Sequence, residues 1–270
     1  MQLTDTHIRM INITSYNVLC SHLADPKQFS GCKPEFLDAQ YRLNELFKKL
    51  DEEVSNRAII CLQEISIPWS GKLHKYFVDH NYYLVTAQYG NKYNGYMGVG
   101  IAIPLDAYSI QEINIQKIGD TKSIPKRAVP PWSFIRACFH VVKSFVAFLI
   151  SSFWKLLIFL KLYVPPPMKY ELWDSVTYRA NQMICVRLKQ RGSGIIFAVG
   201  NYHMPCMFDL PPFMMAHCAL SAQYLHKFAA GDPYIYAGDF NIKPDSTMYR
   251  LLTEGRVEKS VSMLKSSHFL

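Results

Sequence analysis

The chain has 270 residues, 50% hydrophobic, 14% aromatic and 19% charged, which is apolar surface enough for one generous core and excludes collagen-like, coiled-coil and wholly disordered classes. A formal charge of +8, from 29 Lys and Arg against 21 Asp and Glu, favours anionic partners such as nucleic acid, phosphorylated small molecules or acidic lipid headgroups. The seven cysteines lack CxxC spacing, and the N-terminus lacks the apolar run of a secretory signal; the expectation is a reduced, intracellular, cytoplasmic protein with neither structural disulfides nor a zinc site.

In chain order, short apolar runs bounded by polar or turn residues predict strands at residues 11–19, 58–62, 82–87, 98–104, 183–188, 195–202 and 234–237. Helical spacing covers 38–53, with Leu43, Leu46, Phe47 and Leu50 on one face. It recurs at 212–228, with Met214, Met215, Cys218, Leu225 and Phe228, and again at 246–253. Strand–helix–strand order, met twice, predicts a single mixed α/β layered domain over residues 1–270 with an internal pseudo-repeat. One segment breaks the rhythm. A basic, proline-containing stretch, an apolar run over 134–164 and then Pro165, Pro166 and Pro167 mark an insertion at 122–168. Its most apolar part, 145–160, falls short of the about 20 residues that cross a bilayer. On a helical wheel Arg136, His140, Lys143, Ser144, Ser151, Lys155 and Lys161 gather on one side, so residues 132–164 are expected to lie as a basic amphipathic helix on an anionic membrane surface, the alternatives being a helix packed on the domain's own core and a transmembrane crossing.

Four motifs carry chemically useful side chains. Asn17, in Ser15-Tyr16-Asn17-Val18-Leu19, ends a strand; a carboxamide there binds a metal-bound water or a phosphate oxygen, or simply forms a turn. Glu64 follows the apolar Ile59-Ile60-Cys61-Leu62 and Gln63. A carboxylate at the end of a buried strand is costly unless paired or metal-bound, which makes a hard divalent cation a natural partner; the alternative is an exposed Glu just past the strand. His203, in Asn201-Tyr202-His203-Met204-Pro205, suits a phosphate contact, a proton shuttle or a structural role. The most specific motif is Tyr236-Ala237-Gly238-Asp239-Phe240-Asn241. Gly238 permits a tight turn. Asp239 and Asn241, two apart on an extended backbone, are expected to point the same way and hold an attacking water, or else to act as turn formers.

In this order, Asn17, Leu62-Gln63-Glu64, a strand ending in His203 and Gly238-Asp239-Phe240-Asn241 resemble the endonuclease/exonuclease/phosphatase superfamily, which includes deoxyribonuclease I and the inositol polyphosphate 5-phosphatases. Cys32-Lys33-Pro34-Glu35 with Leu37-Asp38 and Tyr41-Arg42, and Pro244-Asp245-Ser246 with Tyr249, Leu252 and Gly255, are similar to its deadenylase, nocturnin and Angel branch. The resemblance runs from about residue 10 to the end, apart from the insertion. It implies an α+β fold, a four-layer α/β/β/α sandwich of two mixed sheets packed face to face. It also implies a phosphodiesterase dependent on Mg²⁺, with Mn²⁺ a substitute, in which water attacks phosphorus in a nucleic acid or nucleotide. By the same resemblance Glu64 would be the metal ligand with Asn17 beside it, and His203 would contact the scissile phosphate. Asp239 would orient or deprotonate the water with Asn241 beside it, and Arg179, with Asn181 as its rival, would bind phosphate. Family members finish with an Asp-His stretch, whereas this sequence ends at His268-Phe269-Leu270, which leaves a fragment or an impaired enzyme as the expectation. The alternative functions are a membrane- or partner-binding module of the same fold, or a lipid or inositol-phosphate phosphodiesterase.

Overall fold

The structure, a computed structural model, describes residues 10–122 and 172–256. The expected membrane-interface helix and His268 lie outside the described residues.

The chain opens with β1 (Ile13–Asn17), α1 (Ala39–Ser55) and β2 (Ile59–Ile65). The Asp38 carboxylate starts α1 by accepting the N–H groups of Gln40 and Tyr41, 3.0 and 2.8 Å away, which satisfies two donors that a helix start leaves open. Leu43, Leu46 and Leu50 form its buried face. Next come α2 (Ile67–Asp79), β3 (Tyr82–Gln88), β4 (Gly98–Pro104) and β5 (Tyr108–Lys117). After the segment outside the described residues follow α3 (Leu172–Tyr178), β6 (Gln182–Gln190) and β7 (Ile196–His203). The described chain closes with α4 (Pro211–Ala229), β8 (Tyr234–Asp239) and α5 (Thr247–Glu254).

Two four-stranded mixed sheets result, in the orders β1-β2-β4-β3 and β5-β6-β7-β8. In each, one strand–helix–strand unit contributes the parallel pair, β1 with β2 and β7 with β8; this is the pseudo-repeat expected above. Three apolar clusters fill the spaces between layers. Leu43, Leu50, Leu73 and Phe77 of α1 and α2 cover Ile60 and Leu62 on the outer face of the first sheet. Ile59, Cys61, Val99 and Ile101 meet Ile184, Val186, Phe197 and Val199 between the sheets. Phe213, Met214, Cys218 and Leu225 of α4 cover Met183, Cys185 and Ala198 on the outer face of the second. The order is therefore helix, sheet, sheet, helix, the four-layer α+β sandwich. It also explains why β2 is apolar on both faces, since one side meets helices and the other a sheet.

Three elements, β5, α2 and the seven-residue α3, went unread in the sequence. β5 is an edge strand whose Gln111, Glu112 and Asn114 interrupt the apolar pattern, and a bulge between Ile110 and Glu112 resets its phase. α2 hides behind Pro68 and Gly71, yet Pro68 falls in its first turn, where no N–H is needed. Trp69, Leu73 and Phe77, spaced by four, bury its inner face.

The sandwich is pinned by polar groups as well as apolar ones. Gln63 and Asn201, both buried between the sheets, hydrogen-bond directly at 2.9 Å. Asn201 Nδ2 also donates to the carbonyls of Leu62 and Gly100, at 2.9 and 2.8 Å. At the other parallel pair Gly238, at φ 147°, passes so close to β7 that an added Cβ would lie 2.0 Å from the Tyr202 carbonyl oxygen. Replacing Gly238 by Ala is expected to push β8 off β7 and to lower unfolding free energy by about 3 kcal/mol or more, since the backbone conformation alone costs a residue with a Cβ about 1–3 kcal/mol. Denaturant unfolding checks this; a Gly238→Ala midpoint equal to wild type would contradict it.

Candidate active site

Asn17, Glu64, His203 and Asp239 sit at or near the carboxyl ends of the two parallel pairs. Asn17 ends β1, Glu64 lies one residue before the end of β2, His203 ends β7 and Asp239 ends β8. His203 and Asp239 are register partners, as are Asn17 and Gln63. Because the two sheets pack face to face, these strand ends converge although the residues come from opposite halves of the sequence.

Backbone geometry aims each side chain. In β2 the pairing with β4 slips between Gln63 and Ile65, so Glu64 is the extra residue of a bulge, with φ 63°. The bulge turns the carboxylate toward the sheet junction, where its side chain is 12% exposed. Leu19, at φ 52°, ends the β1 segment two residues before the expected 19 and folds the chain back. Its N–H donates to Asn17 Oδ1 at 2.9 Å, and the next N–H, of Cys20, donates to Glu64 Oε2 at 3.0 Å. Left-handed backbone at non-glycine residues costs energy and concentrates where geometry serves a site.

With Oδ1 engaged, Asn17 turns its Nδ2 to both carboxylates, donating to Glu64 Oε1 and to Asp239 Oδ2, each at 2.9 Å. His203 Nε2 stands 4.0 Å from the same two oxygens. Burial lowers the His203 pKa, against the pull of Glu64 and Asp239, and this favours a neutral ring. Tyr89 lies on the far side, its hydroxyl 2.6 Å from His203 Nδ1. Burial and then the Glu64 and Asp239 charges hold the Tyr89 pKa well above its ordinary value, so it stays a phenol. The two carboxylate oxygens beside Nε2 favour the tautomer that carries its proton there, in which Nδ1 accepts from that phenol. Neither Tyr89 nor its contact was visible in the sequence, because the partners are 114 positions apart.

The expectation that Asn241 points with Asp239 is corrected. β8 ends at Asp239, and Asn241 has φ 50° rather than an extended backbone. Its N–H donates to Asp239 Oδ1 at 3.0 Å and its side-chain amide donates to the Met204 carbonyl at 2.9 Å. Asn241 thus fixes one oxygen of Asp239 and ties the β8 exit to the β7 exit. Asn181 Nδ2 donates to the His203 carbonyl at 2.9 Å. The Arg179 guanidinium lies against the Met207 sulfur and over the Phe213 ring, away from the two carboxylates.

A cleft of about 780 Å³ opens beside Asn17 and Asp239, lined also by Asn241, Lys243, Phe208 and Tyr249. Glu64 and His203 stand deeper, with side chains 12% and 8% exposed. Among the described residues neither Glu64 nor Asp239 has a Lys or Arg within ion-pair distance. The oxygens that meet at the junction are those of the Glu64 and Asp239 carboxylates, which suit a hard divalent cation, while the Cys20 thiol turns away to the Asn94 carbonyl. No group of three His, Cys, Asp or Glu side chains that could cage a metal occurs among the described residues. Mg²⁺ sites commonly use one or two protein carboxylates with water and substrate oxygens, so the residues present fit that ion. The six described cysteines are free thiols, and no helix among the described residues is long and apolar enough to cross a membrane.

Among proteins with curated descriptions, none matches the sequence significantly. Solved structures do match the fold. Crystalline ANGEL2, described as a 2′,3′-cyclic phosphatase and bound to adenosine-2′,3′-vanadate, has a TM-score of 0.61 at 16% identity, over 90% of this chain and 57% of that one. The human Nocturnin catalytic domain with bound sulfate has a TM-score of 0.55 at 14% identity, over 87% of this chain and 65% of that one. A mannosyl-6-phosphatase from Bacteroides thetaiotaomicron has a TM-score of 0.55 at 13% identity, over 91% and 71%. At such identities the likeness is one of fold, and the chain spans less than two thirds of ANGEL2 and of the Nocturnin domain. The sequence pattern of the Endonuclease/Exonuclease/phosphatase family, however, matches residues 14–264, and the chain belongs to that family.

Proposed function

We propose that the protein is a phosphodiesterase dependent on Mg²⁺ or Mn²⁺ that hydrolyses a nucleic acid or nucleotide. The observation that carries this reading is the pair of carboxylates, Glu64 and Asp239, held on one Asn17 amide, with Asn17 and Asp239 lining a cleft. A bound Mg²⁺ supplies positive charge that neutralises phosphoryl oxygens in the transition state. Glu64, fixed by Asn17 and the Cys20 N–H, is the residue that holds that charge. Asp239 keeps Oδ1 on the Asn241 N–H and presents Oδ2 to the junction. There Oδ2 is placed to accept a proton from the attacking water. Neutral His203, its Nε2 proton directed by Tyr89, donates to a phosphate oxygen, and Asn181 steadies its backbone. Asn241 enters as a support of Asp239, and Arg179 packs on Met207 and Phe213.

Support for a phosphoryl substrate comes from the family itself and from the neighbours of like fold, described with a cyclic-phosphate mimic, a sulfate and a phosphatase activity. The +8 charge suits a polyanion, and nucleic acid is the polyanion that brings phosphodiesters.

Two outcomes are expected. Isothermal titration gives Mn²⁺ binding that weakens about tenfold or more in Glu64→Gln, because an amide supplies less charge to a hard cation; equal affinity in the variant would remove Glu64 from the metal site. With Mg²⁺ present, a phosphodiester reporter is turned over, and Asp239→Asn loses about a hundredfold or more of that rate. Turnover no higher than in EDTA would overturn the proposed activity, and full activity in Asp239→Asn would remove it as the base.

A further inference from the structure

The turn that carries Leu19 and Cys20 is held from outside the site. Arg42, in the first turn of α1, reaches the turn with its Nη2, which donates to the carbonyl oxygens of Val18 and Leu19, both at 2.6 Å. Its guanidinium lies over the Trp69 ring of α2, 5.3 Å from the centroid. Those two carbonyls belong to the same peptide units as the N–H groups of Leu19 and Cys20. A peptide unit is planar and trans, so holding its oxygen on one side aims its N–H to the other. The two N–H groups so aimed are the ones that donate to Asn17 Oδ1 and Glu64 Oε2, at 2.9 and 3.0 Å.

We infer that Arg42 is a positioning residue for the carboxylate pair: it grips two successive peptide planes and thereby sets both the Asn17 amide and the Glu64 carboxylate. It touches no reacting group. One further feature fits the role: Leu19 is left-handed, a conformation that a chain keeps only when its surroundings hold it. Stacking on Trp69 fixes the plane of the guanidinium, which an ammonium on a flexible stem does not reproduce.

The inference rests on the proposed metal site for its affinity arm and is independent of it for its structural arm. The experiment compares wild type, Arg42→Gln and Arg42→Lys by amide hydrogen exchange and by Mn²⁺ titration. In Arg42→Gln the amides of Leu19 and Cys20 are expected to exchange about tenfold or more faster, while those of Ile60 and Val199 in the core keep wild-type protection. Mn²⁺ affinity is expected to fall about tenfold or more, the range found when groups that orient metal ligands are removed, with Arg42→Lys in between on both readouts. Wild-type exchange at Leu19 and Cys20 in folded Arg42→Gln would overturn the inference, as would wild-type Mn²⁺ affinity. Should Arg42→Gln not fold, Arg42→Lys carries the test on the same readouts, and wild-type values would overturn it. A wild-type protein that binds no Mn²⁺ defeats the proposed function instead, and the exchange rates then decide the role of Arg42 alone.

Discussion

A single carboxamide nitrogen, Asn17 Nδ2, holds two negative side chains that would otherwise repel each other, and the two belong to different sheets. Hydrogen bonds to charged acceptors contribute about 1.5–3 kcal/mol each, enough to keep Glu64 and Asp239 together but not to neutralise them. His203 beside them is favoured in its neutral form by its own burial. The junction therefore keeps an unmet demand for positive charge, and a divalent cation meets it with oxygen donors already in place. Leu19, Glu64 and Asn241 adopt left-handed backbone around this point, so the local chain is bent at energetic cost to bring these groups together.

The rest of the sandwich keeps that convergence rigid. Gln63 and Asn201, neighbours of the site on β2 and β7, tie the two sheets by a buried amide pair. Losing either would leave buried polar groups without partners, a cost of about 1–3 kcal/mol each. Gly238 lets β8 lie hard against β7, and Arg42 braces the β1 exit from the helix layer. The site is thus supported from both sheets and from the α1 layer, while its side chains come from strand ends.

Much of this was legible in the sequence, and the reasons are local. Strands buried on both faces appear as unbroken apolar runs, and α1 and α4 show their period, so a mixed layered domain and the strand-end positions of Asn17, His203 and Asp239 could be read directly, whereas the four-layer order came only with the family resemblance. β5 and α2 could not, the first because an exposed edge strand tolerates polar residues, the second because Pro68 and Gly71 disguise its start. Glu64 was recognisable as a strand-end carboxylate, but the bulge that aims it was not. The direction of Asn241 was misread for the same reason, since a two-residue period holds only while the backbone stays extended. Gln63, Asn201, Tyr89 and Arg42 act through partners distant in sequence, and no single-chain pattern announces such pairs.

The shared donor can be tested by changing Asn17 to Asp. The substitution keeps an acceptor for the Leu19 N–H but replaces the donor with a third negative oxygen, at nearly the same shape. Unfolding would be followed in EDTA and in Mg²⁺. In EDTA the variant should lose about 3 kcal/mol relative to wild type, from two lost charge-assisted bonds and added repulsion. Added Mg²⁺ should return more stability to the variant than to wild type, because it binds a folded site of higher negative charge. An Asn17→Asp protein that unfolds together with wild type in both conditions would contradict the claim that this amide holds the two carboxylates.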